Sequence, residues 1–153
     1  MVLIGSPMCT AFCRLQSINF AKMAPDRVRA ILARARMHLN FVCSLYEEQV
    51  KAGRFFIHEH PALATLWEEP VVKRVMKLAN VQVSRVDACQ YGMTGTYHGE
   101  DLPVKKPTRW MTNMQGSQKF STACAAEGTV FAQMDGNMQL ARGNGQRKPQ
   151  FTP

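Results

Sequence analysis

This sequence predicts an α/β fold, on three observations. A short apolar run, Val2-Leu3-Ile4, ends in the turn signal Gly5-Ser6-Pro7. A long amphipathic helical pattern starts at Pro25-Asp26 and stops at Gly53. Directly after it comes Arg54-Phe55-Phe56-Ile57-His58-Glu59, aromatic and β-branched, which ends at His60-Pro61. Strand, long helix and strand form a βαβ unit, which implies two parallel strands joined by a right-handed crossover.

Each element has its own warrant. Residues 2–4 are a buried strand bounded by chain breakers. Residues 9–23 are mixed and fit a short helix or an ordered loop. In the long helix, Val28, Ile31, Leu32, Ala35, Leu39, Val42, Leu45, Tyr46 and Val50 recur at helical spacing. Arg27, Arg29, Arg34, Arg36, Glu47 and Glu48 fill the other face. Proline suits the first turn, and Gly53 is a natural stop. Residues 54–59 read as a second buried strand. Ala62 to Trp67 fits a helical turn, and Glu68-Glu69-Pro70 opens another helix with acids well placed for its dipole. Residues 81–87 alternate as a strand, 92–103 form a glycine-rich loop or hairpin, and 108–113 read as a further strand. Gly116 to Glu127 fits a short helix. The expected organisation is an α/β domain at 1–127 and a flexible basic tail at 128–153, where large apolar residues thin out.

Composition narrows the function classes. The 153 residues suit one domain, and 46% hydrophobic residues suffice for a core. No run approaches the ~18 apolar residues of a membrane span, and the N-terminus lacks the basic leader of a signal peptide. Five cysteines, at 9, 13, 43, 89 and 124, have irregular spacing and no Cys-x-x-Cys pair. That pattern points to reduced thiols in an intracellular setting rather than disulfides or structural zinc. A net charge of +8, from 19 Lys and Arg against 11 Asp and Glu, suits a polyanion such as nucleic acid, though it also serves solubility.

Three places carry potential chemistry. Cys9 follows the carboxyl end of the first strand, where open α/β sheets place ligands. Free backbone N–H groups of the turn there would favour its thiolate; the alternative is an unreactive packed cysteine. Glu59 ends the next strand, so a carboxyl and a thiol would open onto one crevice if the strands are neighbours. The alternative is a solvated acid. His58 and His60 flank it as a His-x-His pair, but the sequence places no third metal ligand. Lys105-Lys106-Pro107-Thr108-Arg109 is either an exposed basic loop or a contact for a nucleic-acid backbone.

Together these places resemble the cytosine-C5 DNA methyltransferases, over roughly residues 2–115 and in family order. The family's Gly-x-Pro-Pro-Cys-Gln-x-Phe-Ser loop aligns with Gly5, Pro7, Cys9 and Phe12. Its Glu-Asn strand end is matched by Glu59-His60-Pro61, and its Gln-x-Arg-x-Arg element by the region from Tyr91-Gly92 to Lys105-Lys106-Pro107-Thr108. The wording is also similar to methylase-like segments of eukaryotic mobile-element polyproteins. Met8 stands where the family has its second proline, Thr10 and Cys13 replace Gln and Ser, and His60 replaces Asn.

The resemblance implies a partial Rossmann-like methyltransferase sheet, mostly parallel, without the N-terminal cofactor-binding strands. No Gly-rich strand-turn-helix precedes Cys9, and the chain opens straight into a strand, so a missing front segment or self-association is expected. By resemblance, Cys9 is the nucleophile that attacks C6 of a flipped cytosine, and Glu59 bonds its N3. C5 then takes a methyl group from S-adenosylmethionine, whose binding residues the sequence does not assign. Pro7, Thr10, Phe12, Lys105, Lys106, Thr108 and Arg109 are the implied substrate or DNA contacts, with no metal and with DNA as the partner. Action on DNA in a eukaryote would imply the nucleus. The competing reading is a basic nucleic-acid-binding or interaction module with no chemistry.

Overall fold

The computed structural model describes residues 1–97, 100–116, 131–135 and 137–141. β1 (Val2–Gly5) leads through a one-turn 3-10 helix at Thr10–Phe12 and a short helix α1 (Gln16–Phe20) into α2 (Pro25–Lys51). β2 (Phe55–Pro61) follows, then a 3-10 turn at Thr65–Glu68, α3 (Pro70–Met76) and β3 (Gln82–Asp87). A third 3-10 turn, Ala88–Tyr91, leads to the antiparallel pair β4 (Thr94–Tyr97) and β5 (Glu100–Lys105), and then to β6 (Pro107–Thr112).

The long helix ends as its sequence dictates. The N–H groups of Gly53 and Arg54 bond back to the carbonyls of Val50 and Gln49, at 3.1 and 2.8 Å. This is a Schellman closure, and it needs the left-handed φ of 64° that glycine supplies at Gly53.

The main sheet has the order β1-β2-β6-β3. β1 and β2 pair in parallel, Val2 opposite Phe55 through Gly5 opposite His58. The expectation of a mostly parallel sheet is corrected here: both pairings made by β6 are antiparallel, so the sheet is mixed. The physical reason is the connection. Between β3 and β6 runs no crossover helix but the β4–β5 hairpin, and a chain returning that way re-enters the sheet reversed. β1, β2 and β3 still share one direction.

One face of this sheet carries the core. Phe56 and Met111 from the strands, Leu39, Cys43 and Tyr46 from α2, Leu66 and Trp67 from the 3-10 turn, and Val72 and Val75 from α3 are buried together. Arg36 of α2 grips Glu69 with two nitrogens, at 3.0–3.2 Å, and Arg74 of α3 meets Glu47 at 2.7 Å. These partly exposed pairs orient α3 on α2 more than they stabilise it, each contributing about 0–1 kcal/mol.

A second sheet has the order β4-β5-β7-β8. Its last strands, β7 (Phe131–Asp135) and β8 (Asn137–Ala141), fall in the stretch expected as a basic tail; β7 runs parallel to β5. The short helix expected within 116–127 lies almost wholly outside the described residues.

Candidate functional site

β2 presents two different surfaces because its side chains alternate. Phe56, His58 and His60 point into the core, and Ile57 and Glu59 to the opposite face. Both imidazoles are buried: Tyr46 Oη lies 2.9 Å from His58 Nδ1, and the indole of Trp67 meets both rings edge-on. Burial holds His58 down to about 3, helped by neighbouring His60, and burial lowers His60 too, against the pull of the Glu59 carboxylate. The His-x-His pair is therefore core packing. No cluster of three or more metal-ligating side chains occurs among the described residues.

Glu59 faces the other way and is half-buried. Ser6, in the turn after β1, donates a hydrogen bond of 2.7 Å from Oγ to Glu59 Oε2. The bond joins the two strand ends that the sequence reading required to be neighbours. Three residues after Ser6 comes Cys9, half-buried, at the head of the 3-10 turn, its carbonyl accepting the Phe12 N–H at 2.9 Å. The loop is anchored from below. Pro7 is buried, the ring of Phe12 belongs to the core, and Thr65 donates from Oγ1 to the Phe12 carbonyl at 3.1 Å. Thr10 is exposed.

The third sequence-selected stretch reaches the same end of the sheet, because β6 begins where β2 ends. Thr108 lies opposite Pro61, and the Ala62 N–H bonds the Pro107 carbonyl at 2.9 Å. Lys105 and Lys106 form the corner between β5 and β6, both half-buried. Arg109 is not brought to Glu59. It projects to the core side, with its guanidinium 5.7 Å from the centre of the Trp67 ring. Strand alternation thus divides the basic stretch between two faces.

The sequence reading did not select Ser6 or Trp110. Ser6 is a small hydroxyl in a turn, with no local signal of its partner 53 residues away. Trp110 sits opposite Glu59 and shares its face, a relation that exists only once the β2–β6 register is known. Of the other described cysteines, Cys43 is buried inside α2 and its thiol is pushed up to about 12, first by burial and then by the Glu47 carboxylate. It is a packing residue.

Two cavities can be compared with the needs of the methyl donor that the resemblance implies. One cavity of about 580 Å³, at the far end of β2, is lined by Val50, Gly53, Phe55, Asn80, Asn113 and Met114 among others. Another of about 510 Å³ is lined by Val86, Ala88, Tyr91, Gly92, Met93 and Trp110. Among the described residues, neither lining carries a carboxylate of the kind that takes ribose hydroxyls. No helix among the described residues is long and apolar enough to cross a membrane. Compared with protein-family models, curated proteins and solved structures, the chain matches none.

Proposed function

We propose that this chain is the catalytic-loop part of a cytosine-C5 DNA-methyltransferase-like domain of Rossmann-like descent, inactive alone. The observation that carries the reading is the Ser6–Glu59 hydrogen bond across the parallel β1–β2 pair. It ties the loop bearing the Cys9 thiol to a carboxyl on the neighbouring strand. The Lys106 corner at the same end and the net charge of +8 support a DNA partner.

In this reading an unstacked cytosine enters over Glu59. The Cys9 thiolate adds to C6, and the ring's electrons shift toward N3. The Glu59 carboxyl delivers a proton there, leaving C5 electron-rich. The chain's own residues carry the reaction as far as this adduct. S-adenosylmethionine would supply the methyl group, held by a segment or partner added beside β1. Among the described residues β1 is a sheet edge, with Ile4 72% exposed on it, which also suits association with a second copy.

DNA carrying 5-azacytosine tests the thiol without the donor, because the ring nitrogen at position 5 takes a proton instead of a methyl group. A denaturation-resistant protein–DNA adduct is expected. Cys9→Ala should abolish it, and Glu59→Gln should slow it by about 10²-fold or more. DNA binding without any adduct would leave the second reading, a basic binding module with no chemistry, which the net charge alone supports.

A further inference from the structure

The cavity beside Trp110 has no part in the covalent chemistry, yet it opens on the same sheet face. Trp110 lies opposite Glu59 on one side and Ser84 on the other, so its indole leaves the sheet on the Glu59 face. Adjacent strands are roughly 5 Å apart, so the cavity begins one strand from the carboxyl. Its walls are Trp110, Tyr91, Met93, Val86 and Ala88. The turn that carries Tyr91 and Met93 is closed by Gly92 at a φ of 77°, and Met93 is fixed by hydrogen bonds to Ala88 and Val104. Indole, phenol and thioether thus flank a slot of about 510 Å³, with Trp110 39% exposed and Tyr91 58% exposed.

The corner next to the slot is basic. The Ala88 N–H bonds the carbonyl of Lys106 at 3.2 Å, which holds the Lys106 backbone beside a lining residue. Flat aromatic walls beside a basic corner, in a chain of net charge +8, complement an unpaired nucleobase and its phosphate. A purely apolar ligand would not use the cation, and duplex DNA keeps its base faces stacked. We infer that the Trp110–Tyr91–Met93 slot is a stacking site for one unpaired base of single-stranded DNA, separate from the position over Glu59, with Lys106 meeting the adjoining phosphate.

This site does not depend on the methyltransferase reading, since it requires neither Cys9 nor Glu59. The test titrates the full chain with a short single-stranded oligothymidine and with an abasic strand of equal length and charge. Trp67, 2% exposed, supplies a steady fluorescence background, so quenching reports Trp110. The oligothymidine should quench and bind about tenfold more tightly than the abasic strand. Read by the anisotropy of a fluorescently labelled strand, since these two variants lack the reporting indole, Trp110→Ala should remove that tenfold difference and Trp110→Phe should keep most of it; Lys106→Gln should weaken both strands alike. Thermal melts of each variant establish that it is folded. Equal affinity for the two strands, or an unchanged preference in folded Trp110→Ala, overturns the inference. Adduct formation by Cys9 with no base preference at Trp110 would leave the proposed function standing and remove only this site.

Discussion

At the scale of single residues, the junction of β1 with the core turns on an absent atom. Gly5 pairs with His58, and a Cβ there would overlap Tyr46 Oη, the group hydrogen-bonded to His58 Nδ1. Gly5→Ala therefore forces Tyr46 aside or breaks a buried hydrogen bond, at a cost of about 1–3 kcal/mol. In a Tyr46→Phe background the overlapping oxygen is gone, so the same substitution should cost markedly less. Denaturant unfolding of the two singles and the double should reveal a coupling of about 0.5–3 kcal/mol. Additive costs would refute the contact. The sequence identified Gly5 only as a turn residue, because the pressure on it comes from a tyrosine 41 positions away whose approach depends on how α2 crosses the sheet. Cys9 and Glu59 were singled out on local pattern alone: Cys9 follows the end of β1 and Glu59 lies near the end of β2, and strand ends are where α/β sheets place chemistry. His58 and His60 were harder to place. Locally they offered only a metal-ligand spacing, and it is Tyr46 and Trp67, from other elements, that make their burial tolerable.

At the scale of elements, α2 shows what local chemistry decides. Its start at Pro25, its acidic first turn and its stop before Gly53 all follow from neighbouring residues. Because open space surrounds the Gly53 Cα, replacing it tests backbone conformation alone. Gly53→Ala should lower stability by about 1–2 kcal/mol and Gly53→Asn by less, read from the denaturation midpoint at constant slope. Equal stability of Gly53→Ala and wild type would show that the Schellman closure contributes nothing. β6 is the contrasting case. Its residues read correctly as a strand, yet neither its place between β2 and β3 nor its reversed direction could be read locally. Strand order is fixed by pairing between segments distant in sequence, β6 with β2 and with β3, and that pairing also decided which neighbours Trp110 and Arg109 received on each side of the sheet.

At the scale of the whole molecule, the buried histidines couple stability to pH. His58, at about 3 in the folded chain, remains neutral where the unfolded chain, at its ordinary 6.5, binds a proton. His60 shifts in the same direction, chiefly through burial. Neither Nε2 atom has a hydrogen-bond partner among the described residues, so the fold offers an added proton nothing to bond. The unfolded state then binds more protons than the folded one as pH falls through 6.5, and unfolding becomes easier. Each such histidine removes up to about 1.4 kcal/mol per pH unit until its folded-state value is reached. Carboxylates ordinarily titrate below this range, so the interval from pH 6.5 to 5 isolates the histidines. Urea unfolding across that interval should lose about 1.5–3 kcal/mol, and a flat profile would mean that these imidazoles are already solvated in the native chain. The loss falls on β2, where Glu59 lies between the two histidines in sequence and faces the other side of the strand, so acid should cost the protein its candidate site together with its fold.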